Sequence, residues 1–241
     1  INFLNWFAIY NIIPKGMVLK LLFLSNKAIE KFTIDKYQYF EPKIKLHGLK
    51  LSEEQDRSLK QITDSMKSFR VHVLHGVTGS GKTIVYFEAI KKVIEKGSQS
   101  LILLPEIGLT SEFEKKFLDF FGFKAAIWHS GINKKKKEII WSGIAEGHIK
   151  VVIGARSSLF LPFKKLGLIV VDEEHDQSYK QDEGVIYNAR DMAISRASFE
   201  NIPIDLVSSI PSIETFNNIK NKKYRHIKIF KRFKDYPLPN T

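Results

Sequence analysis

The chain has 241 residues, 44% of them hydrophobic and 27% charged, which excludes a disordered polymer and allows one well-buried domain plus a smaller piece. Lys and Arg number 38 against 26 Asp and Glu, a formal net charge of +12; that surplus suits a polyanionic partner such as nucleic acid, and equally a lysine-rich soluble surface. No cysteine is present, so disulfides, thiolate zinc sites and cysteine nucleophiles are excluded for this stretch, in keeping with a reducing, cytoplasmic setting.

The opening segment, INFLNWFAIYNIIPKGMVLKLLFL, is apolar, but Asn2, Asn5, Asn11, Lys15 and Lys20 interrupt it, and Pro14 and Gly16 break any single helix. A membrane span needs about 20 mostly apolar residues and a secretory leader starts with a cationic stretch. Two short buried helices around a turn are expected instead, with no membrane association. Residues 36–50 lack helical periodicity and read as a linker or short extended element. A different pattern begins at Leu51, which sets the expected boundary between a small unit (1–35) and the main domain (51–235).

From Leu51 onward, apolar runs alternate with amphipathic stretches. Strands are expected at VHVLH (71–75), LILL (101–104), AAIW (125–128), KVVIG (150–154), GLIVVD (167–172) and IDLVS (204–208). Helices are expected at about 82–95, 109–121, 134–146 and 188–199. Such alternation implies an α/β fold, with a mostly parallel sheet covered by helices on both faces, and ligands at the carboxyl ends of the strands.

The first strand runs into Gly76-Val77-Thr78-Gly79-Ser80-Gly81-Lys82-Thr83, which fits G-x-x-x-x-G-K-[ST]. The glycines let the backbone wrap with its N–H groups inward, as an anion nest. A helix starting at Lys82 points its positive end at bound phosphates. The Lys82 ammonium reaches the β and γ phosphates, and the Thr83 hydroxyl can ligate Mg²⁺. ATP with Mg²⁺ is therefore the expected ligand.

The strand at 167–172 ends in Asp172-Glu173-Glu174-His175. Asp172 at the strand tip can hold Mg²⁺ through its water shell, and Glu173 can orient or deprotonate an attacking water. With Lys82, these are the expected catalytic residues. Carboxylates directly after a buried strand are hard to explain as a solvated face.

At this point the sequence resembles the PriA family of bacterial primosomal replication-restart DNA helicases, within helicase superfamily 2. The resemblance rests on VLHGVTGSGKTIVY (73–86), LLPEIGLT (103–110), HSG (129–131), GARSSLFLPF (154–163) and DEEHDQSYKQDEGVIYNARDMAISRA (172–197), in family order. WFAIYNIIPKG (6–16) looks like the end of the family's N-terminal DNA-binding region, and YPLP (236–239) like the crossing into a second ATPase lobe. The resemblance implies a RecA-like first ATPase lobe and an ATP-dependent 3′ to 5′ DNA helicase that moves along single strands, with single-stranded and forked DNA, other primosome proteins and single-strand-binding protein as partners. It also implies a longer protein, whose second lobe supplies an arginine finger and cysteine pairs for zinc; no zinc site is expected in this chain. LSEEQ (51–55) matches the family's adenine-side motif, which implies that Gln55 reads adenine. The D-E-x-H form implies that His175 links the nucleotide site to the DNA side.

Three positions depart from the family pattern: Ile84 stands for Glu, Ala155 for Thr, and Ile210 for Thr in the coupling motif, here Val207-Ser208-Ser209-Ile210-Pro211-Ser212. The last departure bears on coupling of hydrolysis to strand movement. Candidate DNA contacts are Arg156, Ser157 and Ser158, whose turn also suits an ordinary helix cap. Tyr179, Lys180 and Tyr187 lie in the loop after the acidic box; there an aromatic ring either stacks on a base or packs back on the domain. The run Lys134–Lys137 reads as a solvated helix face, and the basic stretch 220–234 as tracking a phosphate backbone or leading to the next lobe.

Overall fold

The computed structural model describes residues 2–22 and 51–231. The expected linker at 36–50 and crossing segment at 236–241 lie outside the described residues. Seven strands pair as one wholly parallel sheet: β1 (Arg70–Gly76), β2 (Gln99–Leu103), β3 (Ala126–Trp128), β4 (Val151–Gly154), β5 (Leu166–Asp172), β8 (Pro203–Ser208) and β9 (Arg225–Ile229), in the order β3-β4-β2-β5-β8-β1-β9. A two-residue-per-strand hairpin, β6 (Lys180–Gln181) with β7 (Tyr187–Asn188), lies apart from it.

Parallel strands need both faces covered because crossover helices return over them. One face carries α3 (Glu53–Thr63), α4 (Lys82–Glu95) and α5 (Ser111–Phe121), whose Ile62, Phe87, Ile90, Phe117 and Phe121 join Leu74, Ile102 and Val170 of the sheet. The other carries α1 (Asn2–Tyr10), α2 (Lys15–Leu22), α6 (Lys134–Glu146) and α7 (Ala189–Glu200). A further helix, α8 (Ile213–Lys220), joins β8 to β9.

Glycine marks several element ends. Gly122 and Gly147 cap α5 and α6 in the left-handed region, at φ 76° and 81°, which costs glycine no Cβ clash. Two polar side chains inside the sheet are held by several bonds: Gln99 donates to the carbonyls of Ile144 and Ile149 and accepts from the Lys165 amide, and His72 bridges Asp205 and Ser65 at 2.8 and 2.7 Å.

The strands and helices expected from Val71 to Ser208 are all present, most within two residues of their expected ends. The described part of the basic stretch, 220–231, behaves differently. Its RHIKI segment is the edge strand β9, with Ile227 and Ile229 buried and Arg225 and Lys228 exposed. Alternation over only five residues inside a lysine-rich tract is a weak signal, and burial of the two isoleucines decides the conformation. The N-terminal helix pair forms as expected and shares the core of the second face. Phe7, fully buried, meets Phe160 edge-on at 4.9 Å and Tyr187 at 5.5 Å.

That packing gives a stability prediction. Phe7→Ala is expected to lower the unfolding free energy by about 3–5 kcal/mol in urea titration, the usual cost of emptying a buried phenylalanine site. A loss under about 1 kcal/mol would show that α1 is not part of the lobe's core.

Candidate active site

Because β5, β8 and β1 are neighbours in parallel register, their carboxyl ends bring Asp172, Ser208 and Gly76 side by side. Gly76 ends β1 where no side chain fits: a Cβ there would lie 2.2 Å from the Ile229 carbonyl oxygen and 2.9 Å from Ser80 Oγ. Gly79 and Gly81 both sit at φ 82°, a region that strains L-residues. Gly81 is the N-cap of α4 and brings no capping side chain, so the positive helix end suits an anion. Lys82 Nζ donates to the carbonyls of Gly76 at 2.6 Å and Val77 at 3.2 Å. Burial lowers its pKa, against the attraction of Glu173 and Asp172.

Asp172 faces this loop. Its carboxyl sits deep in the cleft, while part of the residue opens into a cavity of about 890 Å³ that it shares with Thr78, Lys82, Thr83, Ile84 and Glu173. Oδ2 accepts from the fully buried Tyr86 hydroxyl at 2.8 Å and Oδ1 from the Glu173 amide at 3.0 Å. Burial pushes the Asp172 pKa up to about 6, with the Tyr86 hydrogen bond pulling the other way. Tyr86 is a site residue that the sequence reading missed. Its spacing of three from Thr83 put it on the face of α4 that carries the loop.

Glu173 is held at φ 47°, a left-handed conformation that costs a non-glycine residue about 1–2 kcal/mol. The turn around it is fixed from both sides: the Glu174 amide donates to the Val207 carbonyl at 3.0 Å and the Asp176 amide to the Glu173 carbonyl at 2.8 Å. Glu174, also missed, has a fully buried side chain. Its carboxylate accepts from the Ser212 amide and hydroxyl, the Thr215 hydroxyl and Arg190 Nη1, at 2.7 to 3.2 Å. His175 Nδ1 and Ser208 Oγ share a hydrogen bond at 2.7 Å, and the Ile210 amide donates to the same Ser208 oxygen. The Ile210 side chain is 71% exposed, so the hydroxyls that fasten the 207–212 segment are those of Ser208 and Ser212, and the departure at 210 removes none of these bonds.

The candidate DNA residues divide. Tyr179 is 1% exposed, its hydroxyl within 3.0 Å of the Leu103 carbonyl and 2.5 Å of the Asp172 carbonyl. Tyr187 is also buried. Base stacking by these two rings does not fit the structure; they pack inward because the loop returns onto the core. Ser158 is buried too, its hydroxyl and amide both donating to the Ala155 carbonyl, so it caps its own turn. Ser157 is exposed and accepts from Trp128 Nε1. Arg156 donates to the Lys180 carbonyl at 2.7 Å and lies 3.6 Å from Glu106, while Lys180 is exposed and pairs with Asp182. Gln55 lies against the phosphate loop, 1% exposed.

The residues present fit a magnesium–nucleoside triphosphate. The glycines leave a cradle that a Cβ would fill, and a crowded carboxylate and a half-buried ammonium flank it. No cluster of three or more His, Asp or Glu suited to a metal occurs among the described residues, so the cation would be shared with phosphate oxygens.

Fold and site together define a RecA-like P-loop lobe of the helicase kind. The chain belongs to the family described as type III restriction enzyme, res subunit, whose model matches residues 48–228. Among curated relatives, it is similar to the replication restart protein PriA of Rickettsia prowazekii (strain Madrid E), 44% identical over 242 residues, covering 100% of this chain and 36% of the relative. The PriA of Bacillus subtilis (strain 168) is 36% identical over 97% of this chain and 28% of its own length. The chain thus spans about a third of the curated relatives it matches most fully. Among solved structures, the DUF1998 helicase MrfA bound to DNA matches with a TM-score of 0.51 at 17% identity, over 76% of this chain and 27% of that one. A hypothetical ATP-dependent RNA helicase from Sulfolobus tokodaii matches at 0.52 and 18%, over 85% and 57%.

The Asp172 environment yields a pH prediction. A carboxyl whose pKa rises on folding from 3.8 to about 6 binds its proton more tightly in the folded state. Its contribution to stability is fully present below pH 3.8 and is lost as pH rises through 6. Asp172→Asn is therefore expected to stabilise the ligand-free chain at pH 8 by about 1–3 kcal/mol, a gain that fades toward pH 4. Urea unfolding at the two pH values measures it; a variant destabilised at pH 8 contradicts the assignment.

Proposed function

We propose that this chain is the nucleotide-driven lobe of a DNA helicase of replication restart, which hydrolyses ATP to move along single-stranded DNA in the 3′ to 5′ direction at stalled forks. One observation carries the reading: the phosphate loop and the carboxylates of Asp172 and Glu173 face each other across a single cavity at the carboxyl edge of the sheet. The helicase family and the PriA relatives support the choice of DNA as track. The net charge of +12 supports it as well. Relatives at 36–45% identity favour this reading over another superfamily 2 motor.

The loop amides and Lys82 would bind the β and γ phosphates, and Thr83 and Asp172 would hold Mg²⁺. Bound magnesium would neutralise charge that builds on the phosphate oxygens. Glu173, held in its left-handed turn, would orient the attacking water and take its proton. His175, through Ser208, would pass the state of the site to the 207–212 segment. Arg156 and its neighbour Ser157, with Lys180, whose carbonyl accepts from Arg156, are the proposed DNA contacts, with single-stranded and forked DNA as substrates and other primosome proteins and single-strand-binding protein as partners. No helix among the described residues is long and apolar enough to cross a membrane; a cytoplasmic setting is proposed.

Lys82→Ala is expected to abolish ATP binding in calorimetry while leaving affinity for a single-stranded oligonucleotide within about twofold, and that affinity should fall with salt at a log–log slope of several units. Unchanged ATP affinity in the variant, or a flat salt response, contradicts the reading.

A further inference from the structure

The run Lys134–Lys137 has no task in the nucleotide site, and its place in the fold works against the helix that carries it. It fills the first turn of α6, where no acidic residue offsets it, so four cations sit at the positive end of the helix. One of them, Lys136, lines a cavity of about 400 Å³ at the end of the sheet, together with Lys115 of α5 and Lys124 of the loop before β3. All three lysines are exposed, and Glu114 is the one acid on this rim.

The floor of the cavity is apolar. Phe117 and Leu118 of α5, Ile127 of β3 and Ile153 of β4 form it, with Leu118 and Ile127 half-buried. Beside it, β3 is an end strand that pairs with β4 alone. The Trp128 carbonyl accepts from the Ala155 amide at 3.1 Å. Residues of a parallel strand alternate between bonding a given neighbour and facing away from it, so Ile127 turns its amide and carbonyl to the open side. Such an edge is a template for one more strand. Lysines beside an edge serve to blunt it where they stand in water; here they ring an apolar hollow.

We propose that the β3 edge and this cavity form a docking site for an extended acidic polypeptide segment, which adds a strand beside Ile127. Alternate side chains of a strand point to opposite faces. The two rows suit the two sides of this edge: apolar side chains meet the Phe117 and Leu118 floor, and carboxylates meet the lysines and the positive end of α6. A nucleic-acid backbone would satisfy the lysines but has no use for the open strand or the apolar floor, which favours polypeptide.

The probe is a hexapeptide of alternating glutamate and valine, acetylated and amidated so that no chain terminus is read, titrated against this chain by fluorescence anisotropy. A Kd of about 10–100 μM at low salt is expected, and Lys124→Glu combined with Lys136→Glu should weaken it about tenfold or more with the melting temperature unchanged. Two further peptides carry N-methyl groups on alternate residues, in one register or the other. Only one register of amides can bond the edge, so one methylated peptide should lose binding and the other should stay within about threefold of the parent peptide. Methylated peptides that bind alike overturn the proposal, as does a lysine–valine counterpart that binds as tightly as the acidic one. Failure of the acidic peptide to bind at about 1 mM also overturns it. In that case, loss of single-stranded oligonucleotide affinity in the double variant assigns the surface to nucleic acid, and loss of self-association in sedimentation assigns it to a second copy of this chain.

Discussion

A carboxylate crowded by protein beside a half-buried ammonium, with no direct bond between them, organises this lobe. Asp172 spends its acceptors on the Tyr86 hydroxyl and the Glu173 amide, and Lys82 donates to the loop carbonyls of Gly76 and Val77. Each charge is satisfied by neutral partners, at a cost visible in the raised pKa of one and the lowered pKa of the other. A phosphate with its cation would fit between them and would give each charge an opposite charge in place of these neutral partners. The rest of the site serves that gap. The glycines let backbone approach it, and the buried Tyr86 and Tyr179 hydroxyls hold Asp172 through its carboxylate and its carbonyl.

The same edge of the sheet carries the connection outward. Glu174, adjacent to the proposed water-orienting Glu173, gathers Arg190 from α7 and Ser212 and Thr215 from the start of α8 onto one buried carboxylate. Removing one partner of such a cluster leaves a buried charge uncompensated, which makes the arrangement costly to half-break. The start of α8 and Arg190 of α7 are thereby tied to the acidic box. The exposed Ile210 side chain plays no part in this network.

Much of this was legible in the sequence because the signals were local. The phosphate loop is a contiguous motif between a β-branched run and a helix, and α4 spans the expected 82–95. The acidic box likewise follows a strand apolar enough to be read as buried. What was not legible depends on partners distant in sequence. Gln55 meets Ser80 across 25 residues, and Glu174 meets Ser212 across 38. Tyr179 illustrates the limit: an aromatic ring in a polar loop suits stacking on a base and packing on a core equally well, and only the three-dimensional return of the loop to Leu103 and Asp172 decides for the core. The edge strand β9 escaped because two buried isoleucines are too few to outweigh the lysines around them.

The most direct test of the central claim is the magnesium increment in nucleotide affinity. Calorimetry of ATP binding with and without Mg²⁺ in the parent chain and in Asp172→Asn isolates the role of the crowded carboxylate. The account predicts that Mg²⁺ tightens binding to the parent by about tenfold or more, that Asp172→Asn abolishes this increment, and that the magnesium-free affinities of the two proteins agree within about threefold. Equal magnesium increments in the two proteins would contradict it.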